Sequence, residues 1–134
     1  MKKEITIRTS NILFVGISIF GLASVSILSL FDPQATMDLV RVKLDNTDAI
    51  SSIRGIYGGV GMSIISGLTY LLITKIILAI RFLTLFWFSY AFSRLITILV
   101  DGPLGDFGNQ WLSIESAFFV FGAILLFVNQ INKD

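Results

Sequence analysis

The chain has 134 residues, of which 54% are hydrophobic and only 14% are charged, with a formal net charge of +1 and no cysteine or histidine. Soluble domains are about 25% charged, so this composition indicates one membrane-embedded domain over residues 1–134. It excludes disulfides, metal or haem sites built on histidine, and histidine acid–base catalysis. The charge also provides no basic patch for binding nucleic acid.

Four apolar stretches each have the roughly 20 residues that a membrane-spanning helix requires. In chain order they cover residues 11–31, 53–73, 76–100 and 111–129. Asp32 and Pro33 end the first stretch, and the turn "DGPLGDFGNQ" separates the last two. We therefore expect an all-α fold, an integral membrane antiparallel four-helix bundle.

The loop between the first two spans, residues 32–52, is the only sizeable segment outside them. Its apolar residues follow no single period, so we expect a short interfacial helix or an extended segment. Asn46, Thr47 and Asp48 are candidate N-caps for the second spanning helix, because their side chains can accept hydrogen bonds from its first N–H groups.

Basic residues are distributed unevenly between the two ends of the spans. The side that carries both termini and the connection between the second and third spans has six of them: Lys2, Lys3, Arg8, Lys75, Arg81 and Lys133. The opposite side has two, Arg41 and Lys43. Because lysine and arginine accumulate in cytoplasmic loops, we expect a multi-pass protein of the cell inner membrane with cytoplasmic N- and C-termini.

Small residues recur every four positions along the second span, at Gly55, Gly59, Ser63 and Gly67. In lipid, such a stripe lets two helix backbones approach closely. A weaker counterpart on the third span consists of Ser89, Ser93 and Thr97. The stripe predicts helix packing within the chain, and self-association is the alternative.

Four charged residues of the last three spans lie toward the side opposite the chain termini: Arg54, Arg94, Asp101 and Glu115. The four-span topology places all of them at one depth, in the outer leaflet. An unpaired charge in hydrocarbon costs a few kcal/mol, so we expect at least one arginine to contact a carboxylate. Three interpretations stay open: a structural ion-pair network, arginines that reach the head groups, and a pocket for an anionic head group.

No nucleophile with an activating base accompanies these charges, so we expect no catalytic residue, metal site or cofactor. The expected function is binding of an amphiphile, such as a lipid, or its anionic head group. Its candidate site residues are Arg54, Tyr57, Tyr90, Arg94, Asp101 and Glu115. The alternatives are an accessory or structural subunit of a larger membrane complex, and a small proton-coupled transporter. Expected partners are the bilayer, a lipid, other membrane subunits or a second copy of the chain, and not nucleic acid.

Three stretches, "IRGIYGG", "SRLITILVDGP" and "IESAFFVFGAILL", resemble a family of small bacterial four-helix membrane proteins known as domain of unknown function 4345. The recurring residues of that family fall here on Arg54, Tyr57, Gly58, Arg94, Asp101, Gly102 and Glu115. Ser93 stands where a glycine is commoner. The resemblance covers roughly residues 10 to 130 and implies the fold and topology, but no activity.

Overall fold

The computed structural model describes residues 2–132, with side chains from residue 4 onward, and all regular structure in this part of the chain is helical. Lys133, which entered the orientation argument, lies outside the described residues, as do the side chains of Lys2 and Lys3. The elements are α1 (Lys2–Phe31), α2 (Pro33–Asp38), α3 (Thr47–Ile53), a π-helical segment (Arg54–Val60), α4 (Gly61–Thr74), α5 (Ile76–Val100) and α6 (Asp106–Ile131).

Four helices in the described chain are long and apolar enough to cross a membrane, which confirms the four predicted helices. α5 has the predicted bounds, whereas α1 and α6 begin several residues before the predicted spans. The second spanning helix is one continuous stretch of 28 residues, Thr47–Thr74, made of α3, the π-helical segment and α4. Lipid offers no hydrogen-bond partner for backbone N–H and C=O groups. Long apolar segments therefore form helices, in which these groups bond to each other.

Capping side chains explain where two of the helices begin. Asn46 accepts a hydrogen bond from the Ala49 N–H at 2.8 Å, so α3 begins at Thr47, earlier than hydropathy alone indicates. In the loop, Asp32 accepts from the Ala35 N–H at 3.0 Å, and Pro33 occupies the first turn of α2. The predicted N-cap is thus confirmed at Asn46, and the loop contains a short helix.

The contacts divide the chain into two compact units, and α1 contributes to both. The first unit consists of residues 1–15 and 75–134, and the second of residues 16–74. The single domain over residues 1–134 stays a prediction.

Aromatic rings hold the first unit together around a close approach at Gly122. The Phe14 ring of α1 lies 5.9 Å from Phe118 and 5.8 Å from Phe121, both on α6. A Cβ at Gly122 would lie only 2.5 Å from Thr84 Oγ1 of α5 and 3.0 Å from Phe14. Glycine is therefore the residue that lets these helices pack at this distance.

In the second unit, the later part of α1 packs against the π-helical segment and the start of α4. A Cβ at Gly58 would lie 2.7 Å from two Leu30 side-chain atoms, and one at Gly61 would overlap the Ser26 hydroxyl. The predicted stripe does not make this contact. A Cβ at Gly55, Gly59 or Gly67 would meet no atom of the second unit within 4 Å, although every residue of that unit is described.

Within the second unit the close approaches are thus at Gly58 and Gly61 and not on the stripe, and the helix-packing role expected of Gly55, Gly59, Ser63 and Gly67 stays a prediction. Gly58 lies in the π-helical segment, whose wider turns do not follow the four-residue spacing on which the stripe was based. Ser63 is exposed and donates to the Gly59 carbonyl of its own helix at 3.2 Å.

Candidate functional site

A two-point ion pair between Arg94 of α5 and Glu115 of α6 is the polar centre of the first unit. Arg94 Nε donates to Glu115 Oε2 at 2.6 Å, and Arg94 Nη2 donates to Oε1 at 2.9 Å. The Glu115 side chain is 2% exposed and that of Arg94 is 22% exposed. The contact between an arginine and a carboxylate that the sequence predicts is thus confirmed for this pair.

Helical spacing explains why these two side chains meet. Arg94 follows Trp87 by two turns and Ala91 by about one turn, and both of those residues are buried on α5. Glu115 precedes Gly122 by two turns, and both are buried on α6. The charged groups therefore lie on the packed faces of their helices.

The pairing neutralises the buried Glu115 carboxylate and occupies both of its oxygens. Both Glu115 oxygens accept from the guanidinium, which is the strong fork-like arrangement of arginine and carboxylate. No buried side-chain nitrogen or oxygen among the described residues lacks a hydrogen-bond partner. The geometry supports a fixed link between α5 and α6, the first of the three interpretations for this pair.

Arg54 belongs to the second unit and has a different partner. Its Nε donates to the Leu30 carbonyl at 2.9 Å, in the last turn of α1. The last four carbonyls of a helix have no partner within it, and that end carries a partial negative charge. Arg54 thus caps α1 while its own side chain remains exposed.

Asp101 and the two tyrosines are exposed residues of their units. Asp101 ends α5, where its N–H donates to the Thr97 carbonyl at 2.8 Å, and its side chain is exposed. Tyr90 is 41% exposed with its ring 4.9 Å from that of Phe86, and Tyr57 is 37% exposed on the π-helical segment. The structure brings Arg94 and Glu115 together, and the co-location of all six predicted site residues stays a prediction.

A second polar link in the first unit was not predicted from the sequence. Asn11 of α1 and Asn129 of α6 exchange two amide hydrogen bonds, at 2.9 and 3.0 Å, and Asn11 is 4% exposed. Asn129 also donates to the Leu125 carbonyl at 2.7 Å. The available signal was an asparagine near the edge of each of two apolar spans, since an amide there finds a partner on a neighbouring helix.

The family model described as Domain of unknown function (DUF4345) matches residues 11–127. The chain belongs to this family. The match includes Arg54, Arg94 and Glu115, so the residues that carried the resemblance lie inside it. No curated protein and no solved structure matches the chain.

Proposed function

We propose that this DUF4345 protein is a multi-pass protein of a bacterial inner membrane that binds an amphiphile with an anionic head group through Arg54. In this proposal the four long helices form one antiparallel bundle with both termini in the cytoplasm. The ratio of six basic residues to two between the opposite ends of the spans supports the orientation.

The exposed guanidinium of Arg54 is the observation that carries the proposal. Within the second unit, all of which is described, only its Nε has a partner, the Leu30 carbonyl, and no carboxylate lies within 4.0 Å of the guanidinium. Both Nη nitrogens, with four N–H groups, are left to donate. A guanidinium presents these donors in a plane that matches a phosphate or carboxylate.

The backbone around Arg54 supports a binding role as well. Arg54 is the first residue of the π-helical segment Arg54–Val60, and such segments occur frequently at functional sites. Tyr57 follows one turn later with its side chain partly exposed, so a phenolic hydroxyl lies on the same stretch of helix. Arg54 also lies about two turns from the start of the spanning helix, a depth from which an arginine reaches the head groups.

The Arg94–Glu115 pair has a supporting role in this proposal, since it joins α5 and α6 and does not receive the ligand. The same geometry argues against the proton-coupled transporter. A carboxylate that carries protons must release its partner in each cycle, whereas both Glu115 oxygens are bound to Arg94 in a buried position.

Native mass spectrometry of the purified protein with added dioleoyl phosphatidylglycerol tests the proposal. We expect Arg54→Gln to reduce the lipid-bound fraction severalfold, and Arg54→Lys to reduce it less because the charge remains. Arg41→Gln is the matched control, since it removes the same charge from an exposed arginine of the loop. Equal binding by the wild type and Arg54→Gln contradicts the proposal.

A second candidate function is that of an accessory subunit of a larger membrane complex. The stripe of small residues on the second of the four long helices favours it, because no residue of the second unit covers this stripe. Gly55, Gly59 and Gly67 leave space for another helix backbone beside the second spanning helix. If a subunit packs there, Gly59→Leu removes a partner protein from the complex isolated in mild detergent without lowering the thermal stability of the purified chain. Retention of every partner contradicts this function.

A further inference from the structure

We infer that a groove between α5 and α6 is a second lipid site, one that takes the head group of an anionic phospholipid in the leaflet on the side of the chain termini. The groove, called the Arg81 groove below, is lined by Ile77, Arg81, Leu126, Asn129 and Gln130. All five residues belong to the first unit. This site is separate from the one proposed at Arg54.

An unpaired arginine makes the groove a site for an anion. Arg81 is exposed, and no carboxylate in the described part of the first unit lies within 4.0 Å of it. Gln130 is also exposed, and its amide supplies further N–H donors. Two donor side chains, one on each helix, therefore line a single opening, and the Oδ1 acceptor of Asn129 in that lining is already bound by Asn11.

The direction of the Arg81 side chain places its charge at head-group depth. Arg81 lies about one and a half turns from the first residue of α5, Ile76, which is roughly 8 Å along the axis. The Cα–Cβ bond of a helical residue tilts toward the N-terminus of its helix, here toward that near end. The positive end of the α5 dipole lies there, but the negative end of the α6 dipole lies beside it, since Gln130 is next to the last residue of α6. The attraction for a phosphate therefore comes from the Arg81 guanidinium.

The rest of the lining fits a lipid better than a free anion. Ile77 and Leu126 are apolar and only half-buried, and they provide surface for the glycerol end of acyl chains. The Asn129 amide is held by Asn11 and by the Leu125 carbonyl, so this wall is fixed and its donors are used. The volume of about 310 Å³ is at the small end of ligand pockets, which suits a head group whose chains remain in the bilayer.

Native mass spectrometry with dioleoyl phosphatidylglycerol, phosphatidylcholine or inorganic phosphate tests this site in the intact protein. We expect Arg81→Gln to weaken phosphatidylglycerol binding about fivefold, the factor that corresponds to about 1 kcal/mol for one basic residue at an anionic surface. Leu126→Phe, which narrows the groove and keeps the charge, should weaken it as well. Arg41→Gln should leave it unchanged.

The two lipid sites are distinguished by stoichiometry. The account predicts up to two bound phosphatidylglycerol molecules in the wild type, a severalfold fall in the population with two bound lipids in either single variant, and weaker binding of both lipids in the double variant. If only Arg54→Gln weakens phosphatidylglycerol binding, the inference about the Arg81 groove is overturned and the proposal for Arg54 stands. If only Arg81→Gln weakens it, the proposal for Arg54 is overturned and the Arg81 groove stands. Equal binding of phosphatidylcholine, or displacement of the lipid by inorganic phosphate at equal concentration, also overturns the inference.

Discussion

Replacing Glu115 with glutamine is the perturbation that tests the polar centre of the first unit. The change keeps the size of the side chain but removes its charge and exchanges one acceptor oxygen for an NH2 group. Arg94 Nη2 can retain its bond to Oε1, now 2.9 Å long, whereas the 2.6 Å bond from Nε loses its acceptor. The guanidinium is then left without a counter-charge in a mostly buried position.

The size of the effect follows from burial. Breaking a buried ion pair costs about 3–5 kcal/mol. The Arg94 side chain is 22% exposed and can partly turn toward a polar neighbour, so the lower end applies, about 3 kcal/mol. For a chain of this length that corresponds to a fall in Tm on the order of 10 °C. Asp45→Asn in the loop, an exposed carboxylate, is the matched control and should change stability by less than about 0.5 kcal/mol.

The assay is thermal unfolding in detergent, followed by the intrinsic fluorescence of Trp87 and Trp111. The double variant Glu115→Gln with Arg94→Gln should recover part of the loss, because neither charge then lacks its partner. If Glu115→Gln melts with the wild type, or if the double variant loses the sum of the two single losses, the structural role of the pair is refuted.

Three further predictions concern orientation and packing. Reporter fusions at residue 45 and at the C-terminus should report opposite sides, with the C-terminus in the cytoplasm, and a periplasmic C-terminus contradicts the orientation. Gly58→Leu should lower thermal stability by about 1–3 kcal/mol, because the new side chain overpacks against Leu30, whereas Gly59→Leu should not. Equal melting temperatures of the two variants would refute the packing of Gly58 against α1. Asn11→Leu should destabilise the protein by roughly 0.6–2 kcal/mol, because Asn129 loses its amide partner, and an unchanged Tm removes that link from the account.

Much of the fold could be predicted from the sequence because hydrophobic run length determines which segments span a membrane. The bounds of α5 follow directly, since Lys75 and Asp101 flank a mostly apolar run that contains no glycine or proline. The starts of α1 and α6 did not follow, because a helix can extend beyond its apolar run wherever the flanking polar residues tolerate a helical backbone. Asn46 marked the start of α3 through its capping side chain.

The candidate site was only partly predictable. Glu115 could be paired with an arginine from charge and depth, but depth alone does not say which arginine, and Arg54 and Arg94 were equivalent on that criterion. Every residue has a backbone carbonyl, so the sequence does not indicate that Leu30 is the acceptor for Arg54. The cap on α1 was therefore not predicted. The close approach of Gly58 to Leu30 was not predicted either, because it lies in the π-helical segment, where a fixed four-residue period does not apply.

The most direct test of the central claim, that Arg54 receives an anionic head group, is an experimental structure of the protein in nanodiscs that contain phosphatidylglycerol. The account predicts a lipid phosphate within about 4 Å of an Arg54 Nη nitrogen, with Arg54 Nε still bound to the Leu30 carbonyl and Arg94 still paired with Glu115. An Arg54 whose Nη groups are bound by a carboxylate of the chain, with no lipid phosphate beside them, would contradict it.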